Sequence, residues 1–243
     1  MKIKIKLLVI LGIVGVAAAL NGCGVSINVN NKNKATKTET KVVELQGAKK
    51  VKVDIDMGVG ELQIKDGQDK LMNGEFIYTI PEWKPEVEYN VNGEEGKLKV
   101  IQPSSMDGSA GKNEYRWNLG FNKEIPMDMD INLGVGESNI DLSKLNINNL
   151  DMKTGVGEVN LNIAGDYKND MNVNIEAGIG KCEIYLPKNI GVKVEVEKGL
   201  GDIKANGFKI DNDNYINDSY GKTKNNINVC VKAGIGEVEL KLK

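Results

Sequence analysis

The chain has 243 residues, 32 Lys plus Arg against 34 Asp plus Glu, no histidine and a formal net charge of -2. With no imidazole and Arg116 as the only arginine, Ser-His-Asp, Cys-His and His-metal chemistries are excluded, and the usual bidentate clamp for anions is nearly absent. The charge balance gives no basic footprint for nucleic acid.

In chain order, the first feature is a processing signal over 1–22. Lys2, Lys4 and Lys6 form a positive n-region, Leu7 to Leu20 an apolar stretch shorter than the roughly 20 residues that span a bilayer, and Leu20-Asn21-Gly22-Cys23 a lipoprotein cleavage box. Cys23 is expected to be the lipidated mature N-terminus, its acyl chains anchoring the protein outside the cytoplasm. The polar, aperiodic run that follows reads as a flexible tether over 23–46.

The domain proper, 47–243, is a repeat. Gly-x-Gly occurs at Gly58/Gly60, Gly134/Gly136, Gly155/Gly157, Gly178/Gly180, Gly199/Gly201 and Gly234/Gly236, and usually an acid follows. The steps from Gly134 to Gly155, Gly178 and Gly199 are 21, 23 and 21 residues, a period of stacked architectures. Before each motif apolar residues alternate in strand fashion, as in Val51, Val53, Ile55 and Met57, and the alternation reads through the middle residue: Val59, Val135, Val156, Ile179, Leu200 and Ile235. After each motif the parity flips, as in Leu62 and Ile64 or Val238, Leu240 and Leu242.

A one-residue slip would turn the second strand's apolar side chains to solvent if the chain ran straight on. Each Gly-x-Gly is therefore predicted to be a corner, with glycine supplying the unusual backbone. The fold class is all-β, a stacked β-solenoid or two-sheet rack with coils of about 21 residues. No helix pattern follows any copy, which argues against a phosphate-binding loop.

The acids after the corners, Glu61, Glu137, Glu158, Asp202 and Glu237, would form a column interrupted by Lys181. Carboxylates about 4.8 Å apart repel by roughly 1 kcal/mol in water and about 3 to 4 at an effective dielectric of 20, so exposure is the cheaper arrangement and a hard cation such as Ca²⁺ the alternative. No metal site and no cofactor are assigned.

Two stretches interrupt the repeat. The insertion at 71–126 has strand patterns at Glu75–Ile80 and Lys97–Ile101, a hairpin at Val91-Asn92-Gly93-Glu94 and both tryptophans. The tryptophans read first as the core of the insertion, with an exposed sugar-stacking or protein-contact surface of Trp83, Tyr89 and Trp117 as the alternative. A polar excursion at 205–226 reads as a recognition loop on one face. Cys182 falls on the inward parity and Cys230 on the outward, so they are not expected to form a disulfide.

The run Lys84-Pro85-Glu86-Val87-Glu88-Tyr89, then Arg116-Trp117-Asn118-Leu119, then Ile125-Pro126-Met127-Asp128-Met129 leading into the corners at Gly134 and Gly155, resembles the bacterial toast-rack domain. That family includes predicted envelope adhesins and the soluble domains of Lia-type cell-wall-antibiotic response proteins. The resemblance spans roughly residues 50 to 165 and implies an all-β stack at the cell surface with no assigned catalytic residues. Lia-type proteins have transmembrane helices upstream, whereas this chain reads as having only a lipid, so transmembrane signalling does not carry over directly.

The resulting expectation is a non-catalytic, membrane-anchored envelope lipoprotein, an adhesin-like or envelope-stress-related scaffold whose partners are a cell-wall polymer or an envelope protein. The alternative is a carbohydrate-active β-helix enzyme relying on carboxylates, Ca²⁺, Arg116 and lysines.

Overall fold

The computed structural model describes residues 23–28 (backbone only), 36–67, 69–103, 113–212 and 214–243. The expected signal peptide at 1–22 and the expected lipidation site, the Cys23 side chain, lie outside the described residues. Six long strands carry the six corners: β3 (Lys50–Asp66), β8 (Met127–Asp141), β9 (Ile147–Asn162), β10 (Met171–Leu186), β11 (Gly191–Asn206) and β14 (Asn226–Leu242). The shorter strands are β1 (Cys23–Asn28), β2 (Thr36–Val43), β4 (Met72–Tyr78), β5 (Glu86–Asn92), β6 (Glu95–Ile101), β7 (Tyr115–Phe121), β12 (Lys209–Asp211) and β13 (Asn214–Ile216). All belong to one sheet.

The long strands pair in parallel with their corners in register, Gly60 with Gly136, Gly157, Gly180, Gly236 and Gly201 in turn. Each strand is bent at its corner into two arms, and the core is built from the inward residues of both. In β3 these are Val51, Val53, Ile55 and Met57 before the corner and Leu62 and Ile64 after it, none more than 2% exposed. The parity flip in the sequence is thus a real change of face. The apolar side chains of neighbouring coils stack on one another, so each coil is stable only between others.

Among the six coils spatial order departs from chain order at one place: they run β3-β8-β9-β10-β14-β11, with the C-terminal strand inserted between the preceding two. The apolar pattern agrees with that placement. In β14, Val229, Val231, Val238 and Leu240 are at most 3% exposed, whereas β11 has Lys198 and Ala205 where β14 has Ala233 and Leu240, and suits an end position.

The insertion at 71–126 is the front cap of the rack. Its strand β6 pairs in parallel with the first arm of β3 and β7 with the second; β4 continues the sheet beyond β7, and the β5–β6 hairpin turns at Gly93 with φ 62°. Strand β2 lies antiparallel on β4, and β1 on β2. The stretch read as a tether, 23–46, therefore has ordered strands at Cys23–Asn28 and Thr36–Val43. The reason is visible in β2: Glu39 is buried, accepting from the Tyr78 hydroxyl at 3.1 Å and pairing with Lys84 at 2.8 Å, and Val43, further along the strand opposite Met72, is buried as well. A buried carboxylate with two partners marks a built contact that the polar composition of the segment conceals.

Candidate functional site

At every corner the second glycine has φ between 142° and 151°, a conformation closed to other residues in practice. The coils also approach too closely for a side chain: a Cβ on Gly157 would lie 1.7 Å from the Gly136 carbonyl oxygen, and one on Gly180 1.7 Å from that of Gly157. The glycines are therefore steric requirements of stacking, in agreement with the corner reading.

The middle residues correct the sequence reading. They sit at the apex, where the chain turns between arms, and point outward: Val59, Val135, Val156, Ile179 and Ile235 are 45 to 51% exposed and Leu200 73%. In register they make one aliphatic ridge along the whole stack. The apex has left the inward face before parity resumes in the second arm, so alternation alone misassigned them. On one side of the ridge the first glycines Gly58, Gly134, Gly155 and Gly178 form the floor of a trough of about 720 Å³, walled by Asp56, Lys153, Glu176 and Lys232. On the other lies the corner column, Glu61, Glu137, Glu158, Lys181, Glu237 and Asp202, beside a groove of about 330 Å³.

In the column Glu61 at the front and Lys181 and Glu237 further back are paired. Glu61 accepts from Arg116 Nε at 2.6 Å, and Arg116 also lies 3.7 Å from Glu114, so the basic residue on which the polysaccharide-enzyme alternative would rely is engaged. Lys181 sits 3.1 Å from both Glu183 and Glu239, Lys241 lies 2.8 Å from Glu183, and Lys204 pairs with Glu237 at 2.6 Å. Glu137 and Glu158 remain exposed between these groups. Among the described residues no cluster of three or more His, Cys, Asp or Glu is gathered to hold a metal ion.

Lys241, with the Tyr185 hydroxyl and Lys181, holds the Glu183 carboxyl down at about 2. Because the folded value lies below the ordinary glutamate range, this contribution to stability is complete above about pH 5 and fades as pH falls from about 4.5 toward 2. The melting temperature of Glu183→Gln should lie below that of the wild type by a constant margin above pH 5, with the gap closing in acid.

The proposed contact residues of the insertion are elsewhere. Trp117 is fully buried and Trp83 6% exposed, in a chain of edge-on rings: Phe76 to Trp117 at 5.7 Å, Trp117 to Tyr115 at 5.7 Å and Tyr115 to Trp83 at 5.6 Å. Tyr89 is half-buried and donates to the Leu45 carbonyl at 2.9 Å. These side chains are the core of the cap, since large rings are worth most where they exclude water on all sides.

The excursion at 205–226 is likewise more than a loop. Its β12–β13 hairpin lies on the first arm of β11, and the buried Asn217 accepts from Val192 N–H at 3.0 Å while donating to the carbonyls of Pro187 and Ile190 at 3.0 and 2.7 Å. Cys182 is buried and its thiol pushed up to about 12 by desolvation; Cys230 is half-buried, and both are free thiols, as the parity reading requires.

The family model of the N-terminal domain of toast_rack matches residues 31–185. The chain belongs to the toast-rack family. A second model, the C-terminal part of the cell wall-active antibiotics response protein LiaF, matches residues 145–240, so the later coils carry the Lia-type pattern. Among solved structures, one described as a "putative cell adhesion protein" from Clostridium sporogenes is 45% identical, with a TM-score of 0.83 over 86% of this chain and 100% of that one. A "putative adhesin" from Bacteroides fragilis covers 87% of this chain and 98% of its own at 12% identity, but with a TM-score of 0.35 it carries no structural argument. No curated protein matches. Among the described residues of this toast-rack chain, no helix is long and apolar enough to cross a membrane.

Proposed function

We propose that the chain is a non-catalytic lipoprotein held on the outer side of the cell membrane by acylated Cys23, acting as an adhesin-like or envelope-stress scaffold that binds an envelope protein or a wall polymer. The observation that carries this reading is the registered aliphatic ridge, which includes six of the eight large apolar residues exposed among the described residues. A rigid parallel stack that displays one unbroken apolar line between charged columns is suited to extended contact with a partner. The 45% identical relative described in terms of cell adhesion supports the same reading, as does the match to a Lia-type envelope domain.

Photocrosslinking on intact cells tests it. Val135→Asp with Val156→Asp places two charges on the ridge at half-exposed positions, so the fold should survive with a melting temperature within a few degrees of wild type. Capture of the partner should fall about tenfold, the loss expected when charges are placed in an apolar contact. Unchanged capture would remove the ridge from the binding surface. Cys23→Ala should release the protein from the membrane fraction; retention there would defeat the lipid anchor.

A further inference from the structure

The two ends of the corner column are finished differently. At the front, β6 covers Lys50–Asp56 and β7 covers Glu61–Asp66. Between them the buried Gln102 side chain accepts from Val59 N–H at 3.0 Å, and the Tyr115 carbonyl lies 2.7 Å from where a Cβ on Gly60 would stand. At the back, β13 covers only Lys193–Glu195. Among the described residues no strand pairs with the outer edge of β11 from Val196 to Lys204.

The side chains register this opening. Val194 is fully buried, but Val196 and Ile203 are only half-buried, whereas their β14 register partners Val231 and Val238 are 0 and 2% exposed. Leu200 is the most exposed member of the ridge. Along the column each second-glycine carbonyl faces the next coil: the Gly236 oxygen lies 1.7 Å from the Cβ position of Gly201. The Gly201 carbonyl thus faces the empty layer, where the chain's own Lys198 Nζ donates to it at 3.0 Å.

Three constraints select what fits. A strand laid on this edge must carry glycine where it crosses the corner, because a Cβ there would collide with a backbone carbonyl as it would at every interior corner. Since the front corner is closed, copies of this chain cannot stack head to tail on the column, so two copies can meet only back to back through a two-fold axis, which closes the assembly at a dimer. An antiparallel register centred on Leu200 satisfies the first two. It sets Gly199 opposite Gly201 of the second copy, Leu200 opposite its counterpart and Lys198 opposite Asp202, a self-complementary charge pair. The β12–β13 hairpin, which fills the layer over Lys193–Glu195, limits the contact to Val196–Lys204, the run that is bare.

The geometry points to a homodimer formed by edge pairing of the last coils, Val196–Lys204 of each copy, with Lys198 moving from Gly201 to Asp202 of its mate. Directly opposed Cα atoms in antiparallel strands are about 4.5 to 5.5 Å apart, within the span of a disulfide. The test compares full-length chains extracted in mild detergent and oxidised gently. Leu200→Cys should give about tenfold more disulfide-linked dimer than Ile210→Cys, which is 72% exposed on the hairpin but away from the axis. In the Leu200→Cys background, adding Lys198→Asp should lower the yield about tenfold by opposing like charges, and adding Asp202→Lys as well should restore it. Equal crosslinking of the two cysteine variants, or a yield indifferent to the charge swap, would overturn the dimer.

Discussion

Adding one methyl group at Gly157 should prevent folding. Gly157 has φ 149°, and its Cβ would stand 1.7 Å from the Gly136 carbonyl oxygen and 2.8 Å from its carbon. Nothing in the contact can yield, because both atoms belong to backbone fixed by pairing on each side, and the strained conformation adds to the overlap. Gly157→Ala should therefore cost more than about 4 kcal/mol, at the extreme of single substitutions, and show no cooperative unfolding transition by circular dichroism. Gly47→Ala provides the contrast. Gly47 also has positive φ, 83°, but no atom lies within 4 Å of its Cβ position, so the cost should be only about 1 kcal/mol from the backbone alone. Similar losses at the two positions would mean that backbone conformation, and not coil spacing, selects glycine at the corners.

Trp117→Ala should be the most damaging core truncation in the cap. The indole is fully buried and meets Phe76 and Tyr115 edge-on at 5.7 Å each. Removing it leaves a large cavity under the strands that close the front of the rack, and the expected loss is about 3 to 5 kcal/mol in denaturant unfolding. A contact role would give the opposite outcome, with stability near wild type and partner capture reduced. Since β7 also supplies the register that covers Glu61–Asp66, loss of the cap should loosen the second arm of β3 first, seen as faster amide exchange there than in β9.

Much of the fold was legible because the repeat obeys two local rules. Period-2 alternation in both arms identified the strands, and the parity flip at every Gly-x-Gly required a corner whatever the surroundings. The same rules failed at the apex. Val135 and Val156 continue the apolar alternation in the sequence, yet lie outside because a corner has no inward side at its tip. For the tryptophans the sequence favoured a core but left a contact surface open; the facing strands β4 and β7 decided for the core. Glu39 and Asn217 belong to a polar tether and a polar loop in the sequence, and only the partners brought to them across the fold turn them into buried anchors.

By itself the sequence determined the all-β class, the coil period, the place of each corner and the parity of the core-facing residues, since backbone sterics and burial act within a single strand and its immediate neighbours. Only the tertiary structure decided the order of the coils. Six similar strands can stack in many sequences of neighbours, and the insertion of β14 between β10 and β11 follows from which coil can best tolerate an open side. That choice left Lys198 and Leu200 at the free end of the rack, and it gathered the six scattered apex residues into one exposed ridge.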